Sequence, residues 1–527
     1  MRVQLNQINP KTLSFEDNQR IILSCLNKTN DDTLSIFPEL SISGSPLFSR
    51  ISYNDVFSFS SFVLDSLIKE KRDVIIGSAL KIEDKKYNSL VFLSKGEVIG
   101  FSNKKRLSIF DEGFSIGNGI ETINYKNETI AFGFMEDIEE FLDTKPKITT
   151  LILCSNTLFT LNKQKEVLEN ISIIARKLNA NIVFCNRFGA EGGYIFNGAS
   201  CIVNQKGEIC ALFDSFKQES EVFQIENIKK INQNALSHYK KILEGLSLSI
   251  RDYFDKNNIG KAVVGLSGGV DSALVAALAV RALGKERVIG VLMPSQYSSS
   301  HSISDALLSV KNLGIEHYIV PIEEMFFSCS NTYNSILKDN EFSLAEENLQ
   351  SRLRCVTLMF FANKMKAALL NTTNKSEASV GYGTLYGDTS GAISVLADLY
   401  KTDVWLLSKF INEEYRKTAN SSIDSLPIPA NSIEKAPSAE LRYDQKDTDS
   451  LPPYDILDKI LMNYIDRSKN IEEICKEFDV EGIKVEKTII NRVIELVKIN
   501  EWKRRQCPMA VKLSNSAFGI DKKFPIS

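Results

Sequence analysis

The sequence predicts an α/β protein in two parts, a sheet-and-helix sandwich followed by a doubly wound parallel sheet. Three observations carry this expectation. The first half holds many short β-type runs, some joined by glycine turns. The second half alternates short apolar strand runs with longer helical runs. A glycine-rich turn lies between its first strand and its first helix. At 527 residues, 43% hydrophobic and 24% charged, the chain can bury more than one core.

In the first half, runs at 3–5, 74–76, 90–93, 98–101, 149–154 and 181–185 have strand length and composition. Residues 90–93 turn at Lys95-Gly96 into 98–101, and 199–203 turn at Lys206-Gly207 into 209–213, which reads as two hairpins. Residues 163–178 follow a helical period. Residues 216–235 are polar and rich in Lys and Asn, so they are expected to link domain 1–215 to domain 236–527. An amphipathic helix over 235–254 follows, with Leu243, Leu246, Leu248 and Ile250 among its apolar positions.

The second half begins with an apolar strand at 262–266 and a helix at 271–283 that Gly284 ends. A strand at 288–293, a helix at 302–313 stopped by Gly314, and a strand at 317–320 continue the pattern. Strand and helix alternating at this spacing argue for parallel pairing.

The formal charge of −3, from 63 basic and 66 acidic side chains, gives no reason to expect a nucleic acid polymer or an anionic membrane as partner. No run is long and apolar enough to span a bilayer. The first ten residues lack the cationic region and apolar stretch of a secretion signal, so a cytoplasmic protein is expected. Nine cysteines with no CxxC pair read as reduced thiols. His238, His301 and His317 have no metal-ligand spacing.

The stretch Gly265-Leu266-Ser267-Gly268-Gly269-Val270-Asp271-Ser272 joins a buried strand to a helix. Its glycines let backbone amides approach an anion, its serines add hydroxyl donors, and the helix start favours negative charge. Such a turn cradles phosphate. It has neither GxxxxGK[ST] nor GxGxxG spacing. Asp271 suits Mg²⁺, a hard ion that takes carboxylate oxygens beside phosphates.

The SGGxDS pattern resembles the pyrophosphate loop of ATP pyrophosphatases, whose fold is of the adenine nucleotide alpha hydrolase type. Further segments narrow the resemblance: Glu347–Arg354 (ENLQSRLR), 371–377 (NTTNKSE), 381–388 (GYGTLYGD), 398–402 (DLYKT), 437–442 (PSAELR), 450–455 (SLPPYD) and 503–506 (KRRQ). In this order they are similar to the synthetase domain of glutamine-dependent NAD⁺ synthetases. Thr373 departs from a position the family usually fills with Gly. The resemblance implies ATP-dependent amidation of deamido-NAD (nicotinic acid adenine dinucleotide) through an acyl-adenylate, with Mg²⁺, in a homo-oligomer. It assigns the loop 265–272 and Thr372 to ATP, and Asn348, Glu377 and Lys503 to deamido-NAD. Asp271 and Glu377 become metal candidates, with Glu377 serving either metal or substrate. Arg352 and Arg354 are two apart, so at most one faces the site.

The first 215 residues resemble the nitrilase-like αββα glutaminase domain of the same family, which works with a Glu-Lys-Cys triad. Phe37-Pro38-Glu39-Leu40 matches the segment of the Glu, and Lys104 matches the Lys. The nucleophile normally opens a CED-like run, which here reads Met135-Glu136-Asp137. A thioether has no proton to lose and cannot act as a thiolate. The glutamine-pocket segments have changed as well, to Ser155-Asn156-Thr157-Leu158-Phe159, Asn162-Lys163 and Gly44-Ser45-Pro46. The expectation is therefore a degenerate glutaminase and ammonia as nitrogen source. Glutamine hydrolysis rescued by another thiol, Cys154 being nearest, stands as the alternative, as does a non-catalytic nucleotide-binding protein.

Overall fold

The computed structural model describes residues 1–144, 146–231, 236–419 and 425–526. They form two compact units, Met1–Leu236 and Ser237–Ser527.

In chain order the N-terminal unit contains β1 (Arg2–Gln7), β2 (Leu34–Ile36), β3 (Val74–Ile82), β4 (Lys85–Ser94), β5 (Glu97–Asn103), β6 (Glu121–Tyr125), β7 (Glu128–Phe134), β8 (Thr150–Ser155), β9 (Asn181–Asn186), β10 (Phe188–Glu191), β11 (Tyr194–Asn197), β12 (Cys201–Val203), β13 (Ile209–Leu212) and β14 (Glu219–Gln224). Among the described residues twelve of them build two six-stranded sheets, ordered β14-β1-β2-β3-β4-β5 and β13-β12-β9-β8-β7-β6, and β10 and β11 pair as a separate antiparallel ribbon. The inner faces meet in one core, where Val3, Leu5, Ile36, Ile75 and Phe92 pack on Phe132, Phe134, Ile152 and Val183. Phe92 and Phe132 meet edge to face, centroids 5.7 Å apart, a pairing that adds about 1 kcal/mol to the burial of the rings.

Alternation along β3 explains why its run is apolar throughout. Ile75 enters the inter-sheet core, while Val74 and Ile76 pack outward on helices Phe15–Leu26 and Asn54–Lys69. Leu151 and Leu153 of β8 likewise face helix Lys163–Leu178, and its Ile152 and Cys154 face inward. The result is the expected αββα sandwich. Both expected hairpins form: Leu93 pairs with Val98 across Lys95 (φ +51°) and Gly96 (φ +86°), the left-handed pair that a two-residue turn requires. The second hairpin joins β12 to β13.

The stretch 216–235, expected as a linker, is only partly one. Residues 219–224 form β14 and pair antiparallel with β1, Arg2 opposite Gln224. Polar side chains disguised this strand because it lies at a sheet edge, where one face stays wet. Residues 232–235, and with them the expected helix start at Ala235, lie outside the described residues; the helix itself is His238–Lys256.

The C-terminal unit contributes β15 (Lys261–Gly265), β16 (Val288–Leu292), β17 (Glu316–Ile319), β18 (Ala367–Asn371), β19 (Ile393–Ser394) and β20 (Met509–Ala510). They form one sheet, ordered β17-β16-β15-β18-β19-β20, with every neighbouring pair parallel. Helix Val270–Leu283 packs against β15 and β16, and helix Leu344–Lys364 against β15 and β18. Gly284 and Gly314 end their helices with positive φ, as expected. Strand order reverses between β15 and β18. The carboxyl ends of strands at such a reversal splay their loops apart and leave a crevice for ligand. A helical layer, of which the sequence suggests only an apolar helix over 489–499, consists of Tyr454–Leu461, Ile471–Val480 and Lys487–Ile499 and closes over a core of Leu457, Ile460, Ile474, Ile490 and Ile494.

Candidate active site

The glycine-rich loop leaves β15 at that reversal. Gly268 has φ +79°, and a Cβ there would stand 2.1 Å from the backbone oxygen of Ser302, so only glycine fits. Gly269 caps helix Val270–Leu283 with extended backbone. Ser267 Oγ accepts from the Gly269 amide at 3.3 Å. Ser272 Oγ accepts from the Ser267 amide at 3.3 Å and donates to Gly269 O at 3.0 Å. The turn is thus held from inside, with a helix N-terminus at its mouth.

From the neighbouring strand β18, the chain continues through Asn371, Thr372 and Thr373 to Asn374, which caps helix Lys375–Val380. Asn374 accepts from the Glu377 amide at 3.0 Å and donates through Nδ2 to Asp271 Oδ1 at 2.9 Å. The cap therefore ties the two loops together. Thr373, in the place of a family Gly, donates its hydroxyl to Asp388 O at 3.2 Å, and its φ is not in the left-handed region, so the turn takes a side chain without strain.

Asp271 and Glu377 converge on the ammonium of Lys401, which is ion-paired with Asp271 Oδ2 and lies 3.4 Å from Glu377 Oε1. Burial and the charge of Asp271 push the Glu377 carboxyl above its ordinary value, with Lys401 opposing. Burial works against charge on Lys401, but Asp271 and Glu377 outweigh it and keep the lysine protonated. Two carboxylates beside a phosphate cradle are the donors Mg²⁺ takes when substrate phosphates complete its shell. The donor set fits such an ion only in that shared manner, because no cluster of three or more metal-type side chains forms among the described residues.

These groups line a cavity of about 500 Å³, together with Asn348, Thr372, Arg354 and Lys503. Every residue expected at the ATP and deamido-NAD sites except Gly268 therefore lines one space, and Gly268 shapes its wall. Asn348 Oδ1 accepts from Thr384 Oγ1 at 2.7 Å. Lys503 Nζ donates to Gly381 O at 2.9 Å and Gly383 O at 3.1 Å. Of the two arginines, Arg354 lines the cavity, and Arg352 is exposed and donates to Leu385 O.

In the N-terminal unit, Glu39 and Lys104 come together as expected. Lys104 Nζ lies 2.7 Å from Glu39 Oε1, 3.2 Å from Asp111 and 3.7 Å from Glu136. Asn88 Nδ2 donates to Glu39 at 2.6 Å and to Asp111 at 2.8 Å, and the Asn156 amide donates to Glu39 Oε2 at 2.9 Å. Burial drives the Glu39 carboxyl upward against the pull of Lys104. Met135 opens the short helix after β7. Its neighbours on both sides reach Lys104, Phe134 with its ring at 5.5 Å and Glu136 with its carboxylate. The nucleophile position is thus beside the Glu-Lys pair and holds a thioether. Cys154 does not replace it: it is sealed in the inter-sheet core, and burial pushes its thiol well above the ordinary value, so no thiolate is available.

Sequence reasoning assigned no role to Lys401 or Asn374. Both stood inside quoted segments, yet their partner Asp271 lies 130 and 103 positions away. A lysine three residues after Asp398 carries no signal of that pairing.

With this geometry in view, comparison with known proteins identifies the lineage. Residues 242–507 match the family model described as NAD synthase. A glutamine-dependent NAD(+) synthetase of Acinetobacter baylyi is 34% identical over 546 aligned residues, covering 100% of this chain and 98% of that protein. One from Thermotoga maritima is 32% identical, again covering 100% of this chain and 98% of the relative. The solved structure of the glutamine-dependent NAD(+) synthetase of Acinetobacter baumannii, in complex with ADP, superimposes with a TM-score of 0.77 at 31% identity, covering 100% of this chain and 98% of that one. By full-length relatedness and by a phosphate cradle at the strand-order reversal, the chain belongs to the glutamine-dependent NAD(+) synthetase family of carbon–nitrogen ligases.

Proposed function

We propose that this NAD(+) synthetase takes its nitrogen from ammonia and that its N-terminal unit no longer hydrolyses glutamine. The observation that carries the proposal is Met135, placed between two residues that touch Lys104, with the thiol nearest in sequence, Cys154, sealed in the core. Without a thiolate no thioester forms, and glutamine keeps its amide nitrogen.

The C-terminal cavity supports a two-step amidation. A carboxylate oxygen of the nicotinate attacks the α-phosphorus of ATP, and the bond to the β-phosphate oxygen breaks, releasing pyrophosphate. Ammonia then attacks the acyl carbon of the adenylate, the bond to AMP breaks, and the nitrogen loses a proton. The loop 265–272 and Thr372 hold ATP, and Asn348, Glu377 and Lys503 hold deamido-NAD. Asp271 and Glu377 would hold Mg²⁺, which supplies positive charge against the phosphate oxygens. Lys401 keeps the two carboxylates at their spacing, and its ammonium adds fixed positive charge beside the loop.

The names of the relatives favour a second reading, glutamine use through some other nucleophile. NAD formation at saturating ATP, with glutamine or with ammonium chloride, separates the two: product from ammonium alone is expected, and glutamine turnover lost in Cys154→Ala would overturn the proposal.

The same proposal includes a cytoplasmic homo-oligomer. Cysteines all unpaired support the compartment, and among the described residues no helix is long and apolar enough to cross a membrane. Exposed Phe327, Ile336 and Leu337 on helix Glu323–Leu337, with Val356 and Phe360 on Leu344–Lys364, support self-association.

A further inference from the structure

The buried cations of the C-terminal unit each have a carboxylate. Lys375 is paired with Asp398, Lys401 with Asp271, Arg504 with Glu501 and Lys512 with Asp521. Two partly buried cations that line the cavity do not. Neither Lys503 nor Arg354 has a carboxylate within ion-pair distance among the described residues, and both bond only to neutral oxygens. Taking charge out of water without a counter-ion is costly, so each of these side chains is poised for an anion.

Their positions separate the two. Lys503 is anchored to the carbonyls of Gly381 and Gly383, at and just past the end of the helix Lys375–Val380 that follows β18. Arg354 is anchored on the opposite side of β15. Its Nε donates to Met293 O at 3.2 Å and its Nη2 to Ser295 Oγ at 3.3 Å, both just past the carboxyl end of β16. One turn along the same helix, Leu358 Cδ1 lies 3.1 Å from where a Cβ of Gly265 would be, so this helix flanks the start of the phosphate loop. Burial also lowers the guanidinium's pKa to about 10, a cost that the charges of Glu440 and Asp388 offset only in part.

We propose that Arg354 is the counter-cation of the ATP phosphates, gripping them from the β16 side of the loop, while Lys503 serves the second, deamido dinucleotide. The assignment rests on the two-substrate reading of the cavity and gives each substrate its own uncompensated cation. A guanidinium held by two bonds at one edge keeps its remaining N–H donors for a phosphate, a geometry that lysine does not reproduce.

The test is calorimetric binding of a non-hydrolysable ATP analogue, adenosine and deamido-NAD to the full chain, to Arg354→Met and to Arg354→Lys. In Arg354→Met, affinity for the ATP analogue is expected to fall on the order of ten- to hundredfold, with adenosine and deamido-NAD binding unchanged. Arg354→Lys is expected to fall in between. Equal loss for adenosine and the ATP analogue would mean a packing role, loss confined to deamido-NAD would mean the other substrate, and unchanged ATP-analogue binding would mean no phosphate contact; each overturns the assignment. Adenosine binding reports that the variant is folded. A wild-type chain that bound no ATP analogue would instead sink the reading of the cavity itself.

Discussion

Lys104 in the N-terminal unit and Lys401 in the C-terminal unit are both buried ammonium groups held between carboxylates, Glu39 and Asp111 in one case, Asp271 and Glu377 in the other. The difference lies in what stands next to each cluster. Beside Lys401 are a helix N-terminus, a glycine cradle and an open cavity. Beside Lys104 stands Met135, where the reacting sulfur of the family belongs. The comparison teaches that a surviving catalytic-looking charge cluster is weak evidence of catalysis. Once buried, such charges depend on one another, and losing either partner costs about 3–5 kcal/mol whether or not any reaction remains.

The widest separation between the clusters comes from chemistry. Asp271→Ala is expected to lower ammonium-supported NAD formation on the order of a thousandfold, and Lys503→Ala at least on the order of a hundredfold. Steady-state pyrophosphate release checks both, and a near-normal rate in either variant removes that residue from the site. Nitrogen source comes next. Glutamine is expected to support NAD formation no better than a reaction without added nitrogen, and Met135→Ala and Cys154→Ala should leave the ammonium rate unchanged.

Stability gives smaller effects with the opposite sign of importance. Lys104→Met strands Glu39 and Asp111, so the N-terminal unit should lose about 3–5 kcal/mol in denaturant unfolding, while the ammonium rate per folded molecule holds. A drop in that rate without a drop in stability would show that the first cluster still takes part in the reaction. The smallest effect is in acid. Burial pushes the Asp111 carboxyl up, but the Lys104 ammonium and bonds from Ser108 more than offset this and hold it below its ordinary value. A lowered carboxyl stabilises the fold above its unfolded value, and that contribution disappears as pH falls through the folded one. Asp111→Asn should therefore lower the thermal midpoint near neutrality and flatten its acid limb, so that the two profiles converge at low pH; an unaltered acid limb would count against this coupling.

Much of the fold was legible because local rules and tertiary structure agreed. Lys95-Gly96 forms the turn its residues favour, and helix Lys163–Leu178 begins and ends where its period does. β14 was hidden because an edge strand carries polar side chains. The helical layer from Tyr454 onward was present as apolar spacing at 457, 460 and 461, but the core it covers is built from its own helices and not from the sheet. The site was legible in its loop and in the motif order. Which of Arg352 and Arg354 turns inward depends on where the helix meets the sheet, and the Lys401 clamp depends on a contact across 130 positions. Neither is written in local sequence.

Gly268 touches two distant parts of the chain. Its missing side chain admits the carbonyl of Ser302, and its own carbonyl accepts from Ser432 Oγ at 2.9 Å. The cradle is consequently a cast set before any guest arrives. A guest that fits freezes little new motion on entry, so selection falls to length and charge: a lone phosphate reaches only part of such a cast, whereas a polyphosphate chain can span it.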